Sequence, residues 1–269
     1  MKPRNLLRLA GPALFGGLLL VVTPAAFAQS ASTYVASASE KYRMGDFDSA
    51  IEDYTKALDL NSSYLGAYNG RGLAKSHQGN FDGAIADFSA AIKLKPAFTE
   101  AYFNRGNAAL LQGNMDMAIA DFSKVIELKP DHGLAYFHRG LARDCETNYD
   151  GATGDYAKAQ ELLAGNSEAS SSIAVHAALV AQRTGGDVTA SLKPAAGGSD
   201  VWNKRVASFI AGKISEGQLL SFANQAEGDV QNRQQCEAQY FIGMTKLIAG
   251  NRPPRRRIFR RRSTPADPR

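Results

Sequence analysis

Two thiols and four imidazoles are the reactive side chains of this 269-residue chain, and none stands at a catalytic or metal-binding spacing. Cys145 and Cys236 are far apart, with no C-x-x-C. In an oxidising compartment they could pair; spacing alone leaves a pair and two buried free thiols equally open. His77, His132, His138 and His176 have no Cys or Glu at ligand spacing, so structural roles are expected of each, with no metal and no cofactor. No G-x-S-x-G, H-E-x-x-H, P-loop or G-x-G-x-x-G occurs. Carboxylate doublets such as Glu52-Asp53 recur with helix polarity and read as a solvated face. The residues point away from an enzyme. The one enzymatic alternative would place a site between His176 and Trp202, where no constellation supports it. The charged groups that do recur are Arg71, Arg105 and Arg139, with Asp87, Asp121 and Asp155. Residues locked to a repeat usually serve stacking, so these are expected to pair between neighbouring helices rather than to hold an anion.

The repeat that carries them has a period of 34 residues. Glu100 to Pro130 reads as a helix, a tight turn and a second helix, and the same text recurs on either side. Each first helix opens on Tyr34, Tyr68, Tyr102 or Tyr136, followed four residues later by Ala38, Gly72, Gly106 or Gly140. A glycine in mid-helix costs about 1 kcal/mol against alanine, which implies that close helix contact recovers the loss. Gly45, Gly79 and Gly113 follow at the turn, where a left-handed residue ends a helix; Thr147 replaces the fourth. Second helices carry the apolar stripe Ala50, Ile51, Tyr54 and Ala57, repeated as Ala84, Ile85, Phe88 and Ala91. The third copy has Ala118, Ile119, Phe122 and Val125, and the fourth keeps Ala152 and Tyr156.

Period, small residue, aromatic and the prolines Pro96 and Pro130 together resemble the tetratricopeptide repeat (TPR). The early aromatic is Tyr where that pattern often has Trp. The resemblance implies an all-α solenoid, a right-handed superhelix of antiparallel helix pairs, with four units over residues 29–165 and first helices lining the concave face. It also implies which positions meet a partner. These are Val35, Ser39 and Tyr42; Asn69, Leu73 and Ser76; Phe103, Asn107 and Leu110; and Phe137, Leu141 and Asp144, with Asn104 and His138 beside them. Such a groove is apolar and amide-rich, and it lacks the Lys and Arg with which some TPRs clamp a terminal carboxylate.

The two ends differ from the body. Lys2, Arg4 and Arg8, an apolar run from Ala13 to Val22 and the site Ala26-Phe27-Ala28 read as a bacterial secretory signal peptide cleaved after Ala28. The apolar run is about half the ~20 residues of a membrane span. Periplasmic or secreted location without a stable membrane anchor is therefore expected. Beyond residue 165 the period fails. Residues 166–250 read as a helical region: a capping helix from Ile173 to Arg183 and a Gly/Ala/Pro/Ser-rich loop or linker from Asp187 to Asp200. Two short helices broken near Gly212 follow, with Ser215 as N-cap. Last comes a long helix with Cys236, Tyr240, Phe241, Met244 and Leu247 on its apolar face. Trp202 is expected to dock these helices together. This segment resembles the periplasmic TPR adaptors of the new lipoprotein I type, through Trp202, the F-I-A-G-K-I-S run from Phe209 to Ser215, and Tyr240-Phe241-Ile242-Gly243. That resemblance implies a non-enzymatic scaffold whose protein partners are cell-wall hydrolases and a processing protease. The family's lipid-attachment cysteine is missing, and the text after Gly250 departs from the pattern. Residues 251–269 hold eight Arg and one Asp. With the basic start, they account for more than the whole chain's +5, so the folded body is net negative and no nucleic acid is expected to bind it. The tail admits three readings: a binder of nucleic acid or anionic membrane, a solvated end, or out-of-frame translation of a G+C-rich gene. Homo-oligomerisation through an uncovered solenoid end is also open.

Overall fold

The computed structural model describes residues 30–197 and 200–250; the expected signal peptide and the Arg-rich tail lie outside the described residues. Thirteen helices and no strand occur among the described residues. Eight form four antiparallel pairs: α1 (Ala31–Arg43) with α2 (Phe47–Leu60), α3 (Leu65–His77) with α4 (Phe81–Leu94), α5 (Thr99–Gln112) with α6 (Met115–Leu128), and α7 (Gly133–Cys145) with α8 (Tyr149–Leu162). Each pair packs on the next, the architecture of an all-α solenoid.

The local sequence fixes each turn. Asp46, Asn80, Asn114 and Asn148 cap the second helices, each side-chain oxygen accepting the N–H three residues on at 3.0–3.1 Å. Before them Gly45, Gly79 and Gly113 take φ of +80°, +79° and +90°, and Thr147 takes +59°, a strained value for a β-branched residue. Between the helices of a pair, an aromatic ring occupies the space that a side chain would need. A Cβ on Gly72 would stand 2.7 Å from Phe88, on Gly106 2.9 Å from Phe122, and on Gly140 2.7 Å from Tyr156. Phe88 and Phe122 are fully buried as a result. Burial of such a ring contributes about 1.5–3 kcal/mol, more than the glycine costs.

Arginine ties the second helices together. Arg105 Nε and Nη2 donate to the two oxygens of Asp121 at 2.8 Å each, while Nη1 donates to Ser89 Oγ of the preceding pair at 2.9 Å. Arg71 does the same with Asp87 and Thr55, and Arg139 with Asp155 and Ser123. The guanidinium groups also sit 5.5–5.8 Å from the ring centres of Tyr68, Tyr102 and Tyr136. In the first pair Ser37 stands at the Arg position, and Asp53 is held by Ser37, Lys41 and Lys56. Asp53 is therefore a buried partner; of the Glu52-Asp53 doublet only Glu52 faces solvent.

The C-terminal helices are α9 (Ser167–Thr184), α10 (Val188–Gly197), α11 (Val201–Ile210), α12 (Glu216–Ala223) and α13 (Gly228–Ile248). Two departures from the sequence reading have physical causes. The segment from Asp187 expected as a loop is helix α10. Asp187 caps it, accepting the Ala190 N–H at 2.8 Å, and Leu192 and Ala195 are buried in the core that includes α9 residues. Tertiary burial outweighs the poor propensity of Pro194 and Gly197. Helix α9 starts six residues earlier than expected, because Asn166 caps it through the Ala169 N–H. In α13 the buried residues are Ala238, Phe241 and Ile242, whereas Leu247 and Cys236 are exposed rather than on the packed face. Both cysteines are free and exposed, so neither the pair nor the buried thiols expected of them is found. Ser215 and Gln218 form a capping box at α12, and Trp202 Nε1 donates to Glu237 Oε2 at 2.6 Å, joining α11 to α13. No described helix is long and apolar enough to cross a membrane.

Two stability measurements probe this construction. Asp121→Ala leaves Arg105 without its carboxylate beside the half-buried Tyr102 ring, and is expected to cost about 3–5 kcal/mol in equilibrium denaturation, whereas the apolar double replacement Arg105→Met with Asp121→Leu costs far less. Thr147→Gly relieves a left-handed backbone and is expected to raise stability by about 1 kcal/mol in the same assay.

Candidate functional site

First helices contribute a row of carboxamides and rings to the inner face. Asn104 Nδ2 of α5 donates to Asn69 Oδ1 of α3 at 3.0 Å. One pair further along, His138 Nδ1 of α7 lies 2.5 Å from Asn107 Oδ1, which makes Nδ1 the protonated nitrogen of that ring. Phe103 stands between these links, its centroid 4.9 Å from His132 and 5.3 Å from His138. Beside it opens a pocket of ≈ 280 Å³ lined by Asn69, Thr99, Glu100, Phe103, Asn104, Lys129 and His132. Each asparagine spends one or two hydrogen-bonding positions on its neighbour and keeps others for a ligand.

Other residues expected on the groove are placed differently. Leu73 packs against Ala84, Phe88 and Ala108, and Leu110 against Ala109, Ala118 and Phe122, so both serve helix packing. Ser39 turns inward, donating to Val35 O at 2.8 Å and lying 3.1 Å from Tyr54 Oη. Val35 and Tyr42 pack against the first core cluster, and Ser76 is half-buried. In the fourth pair α9 covers the groove. Phe137 and Leu141 pack with Tyr156, Ile173 and Val180, and the Phe137 ring meets His176 at 5.7 Å. Asp144 is buried and ion-paired with Arg183, so it is not a groove residue. Thr99, Glu100, Lys129 and His132 escaped sequence reasoning, because they sit at helix ends outside the first-helix face pattern.

Burial keeps the imidazoles of the site uncharged at neutral pH. It pushes the His138 imidazole down to about 4 and lowers that of His132, whose Nδ1 accepts the Ala135 N–H as a helix cap. His176 is pushed down to about 4 by burial, with Arg183 adding to the effect; its Nδ1 and Tyr156 Oη are buried without hydrogen-bond partners among the described residues. Burial raises the Asp144 carboxyl against the pull of Arg183, and raises Tyr240 to about 12. Among the described residues no group of three or more His, Cys, Asp or Glu could hold a metal ion.

The sequence of these stacked pairs matches a known family model, that of the tetratricopeptide repeat, over residues 35–96 and 69–133. Residues 35–133 carry tetratricopeptide repeats. Solved TPR structures share its fold. YrrB, a TPR protein with an unusual peptide-binding site, is 20% identical over 69% of this chain and 93% of its own, with a TM-score of 0.57. MamA from Desulfovibrio magneticus RS-1 is 18% identical over 69% of this chain and 97% of its own, with a TM-score of 0.56. No curated protein matches the sequence.

The buried histidines tie stability to pH. An imidazole with a depressed folded pKa binds its proton in the unfolded chain first, so stability is lost as pH falls below the ordinary histidine value near 6.5. The loss is expected to run from about pH 6.5 to the folded values near 4, with a slope approaching two protons for His138 and His176 together. The raised carboxyls of Asp144 and Glu237 oppose it only at the acid end of that range. Denaturation midpoints measured across this window check the sign, and His176→Phe should remove about half of the slope.

Proposed function

We propose that the protein is a non-catalytic scaffold that holds a peptide segment of a partner protein on its concave face. The observation that carries this reading is the row Asn69–Asn104 and Asn107–His138 beside the Phe103 pocket. Carboxamides offer paired donors and acceptors that match the backbone of an extended chain, and an aromatic floor takes an apolar side chain from it. The arginines of α3, α5 and α7 are spent on Asp87, Asp121 and Asp155, so recognition along the asparagine row relies on shape and neutral hydrogen bonds, with Glu100 and Lys129 as the charged groups at the pocket. YrrB has a peptide-binding site on the same architecture.

The finer assignment places this scaffold in the bacterial cell envelope. It is supported by the Lys/Arg-led apolar start with its Ala26-Phe27-Ala28 site, and by the resemblance of residues 202–243 to new lipoprotein I type adaptors. Peptidoglycan hydrolases or a processing protease are the partner class this implies.

Affinity capture from a periplasmic fraction tests both levels. Phe103→Ala and Asn104→Ala are each expected to weaken capture of a groove-bound partner about tenfold, equivalent to about 1.4 kcal/mol, with Leu94→Ala on an exposed second-helix position without effect. Undiminished capture by the Phe103→Ala, Asn104→Ala double variant would remove the groove from the account. Retention of the chain in the cytoplasm would remove the envelope assignment and leave groove binding intact.

A further inference from the structure

Helix α11 has two faces. Trp202, Val206, Ala207 and Ile210 are buried in the C-terminal core. On the other side Val201, Lys204, Arg205 and Ser208 follow one another at spacings of three, one and three residues, a single stripe of the helix. With Ile214 from the connection to α12 and Phe222 of α12 itself, they line a shallow hollow of ≈ 270 Å³. Val201 keeps 59% of its surface exposed there.

The cations of this stripe are unspent. Arg71, Arg105 and Arg139 each close on an aspartate, as do Arg143 and Arg183. Lys204 and Arg205 have no carboxylate within salt-bridge distance among the described residues. Arg205 lies instead on the Phe222 ring, its guanidinium carbon 4.1 Å from the centroid, against 5.5–5.8 Å for the arginines over Tyr68, Tyr102 and Tyr136. Stacking covers one face of the guanidinium plane and leaves the in-plane N–H fork open, the edge that grips a carboxylate through two parallel bonds. Asp200, the nearest acid in sequence, is occupied as the cap of α11, accepting from the Trp202 and Asn203 N–H groups and from Asn203 Nδ2. On a body that is net negative, the stripe is a local cationic patch with apolar flanks.

A pocket for a free small molecule commonly measures about 300–1,000 Å³ and encloses most of its ligand. This hollow is smaller and open, so its occupant must bring a surface of its own, as a polypeptide does. We propose that α11 and α12 form a second docking surface, which takes an acidic–apolar segment of a partner polypeptide. A carboxylate of that segment lies in the Arg205 fork with Lys204 beside it. A neighbouring aliphatic or aromatic side chain covers Val201, Ile214 and Phe222. An arginine held against a ring is pre-organised for this, and arginine is among the residues that dominate binding energy at interfaces. The surface lies apart from the asparagine row, and the inference stands whether or not that row binds a peptide.

Backbone amide NMR on the full chain tests this with three probes: a blocked peptide alternating glutamate with leucine and phenylalanine, its glutamine counterpart, and octanoate. The acidic peptide is expected to shift amides of residues 201–208 and 214–222 saturably, and to bind at least about tenfold more tightly than the glutamine peptide. Arg205→Gln and Lys204→Gln are each expected to weaken that binding about tenfold, and added salt to weaken it further. Lys204 is exposed, so its variant keeps the comparison sound if Arg205→Gln disturbs α12. No shift at millimolar acidic peptide, equal binding of the glutamine peptide, or binding that survives both substitutions would overturn the proposal. Octanoate binding as tightly as the acidic peptide would make the hollow a site for a small amphiphilic anion, and overturn polypeptide docking. Shifts confined to residues 69–132 would place the peptide in the concave groove and overturn it likewise.

Discussion

An aromatic ring lying on a residue with little or no side chain sets the spacing of this molecule. Phe88 over Gly72, Phe122 over Gly106 and Tyr156 over Gly140 bring two helices closer than an ordinary side chain would allow. A single added methyl at the glycine would push into the ring at a distance that real Cβ atoms do not reach. Because the seat recurs with the repeat, it fixes the same tilt in each pair, and identical tilts summed along the chain produce a curved face. Gly70 extends the rule between pairs, since a Cβ there would meet the Tyr54 ring of the preceding pair at 2.3 Å.

Charge then specifies register more than it adds stability. Asp87, Asp121 and Asp155 are each 3–4% exposed, and burying a carboxylate costs several kcal/mol unless it is fully paired. The bidentate guanidinium meets that cost, and its third contact reaches Thr55, Ser89 or Ser123 of the previous pair. A pair shifted by one residue would strand both charges. The first pair uses Ser37 and Lys41 instead, and among the described residues no earlier second helix stands within reach of this position.

What the sequence disclosed follows this division. Periodic features were legible: the four pairs, the glycine turns, and the Arg–Asp register all repeat at one interval, so each copy vouches for the others. Features made by a single tertiary contact were not. Helix α10 has the composition of a loop, and only burial of Leu192 and Ala195 makes it a helix. Asp144 stands at a groove position by register, but Arg183, outside the period, claims it. Leu247 lies on a plausible apolar stripe of α13 yet is half exposed, because α13 packs through Ala238, Phe241 and Ile242. The groove was legible as positions but not as bonds. Asn69 reaches Asn104 across 35 residues and Asn107 reaches His138 across 31, two different offsets that no single period exposes.

These facts together give the groove a direction. At its C-terminal end α9 lays His176 and Arg183 against Phe137 and Asp144, and α13 adds Tyr240 and Phe241 around His176. That end is thus sealed by the chain itself, with aromatic and ionic contacts of the kind a guest would otherwise make. From α3 to α7 the inner face keeps its carboxamides, Phe103 and the pocket at the α5 N-terminus. His132 and His138 are held neutral there by burial, so the open stretch presents polarity without net imidazole charge at neutral pH. Its amide-lined stretch discriminates strongly against a ligand that leaves its hydrogen bonds unmade, since each buried unpaired group costs about 1–3 kcal/mol. Selectivity on this face is therefore expected to follow the backbone course of the guest and the fit of one apolar side chain beside Phe103, more than the guest's net charge.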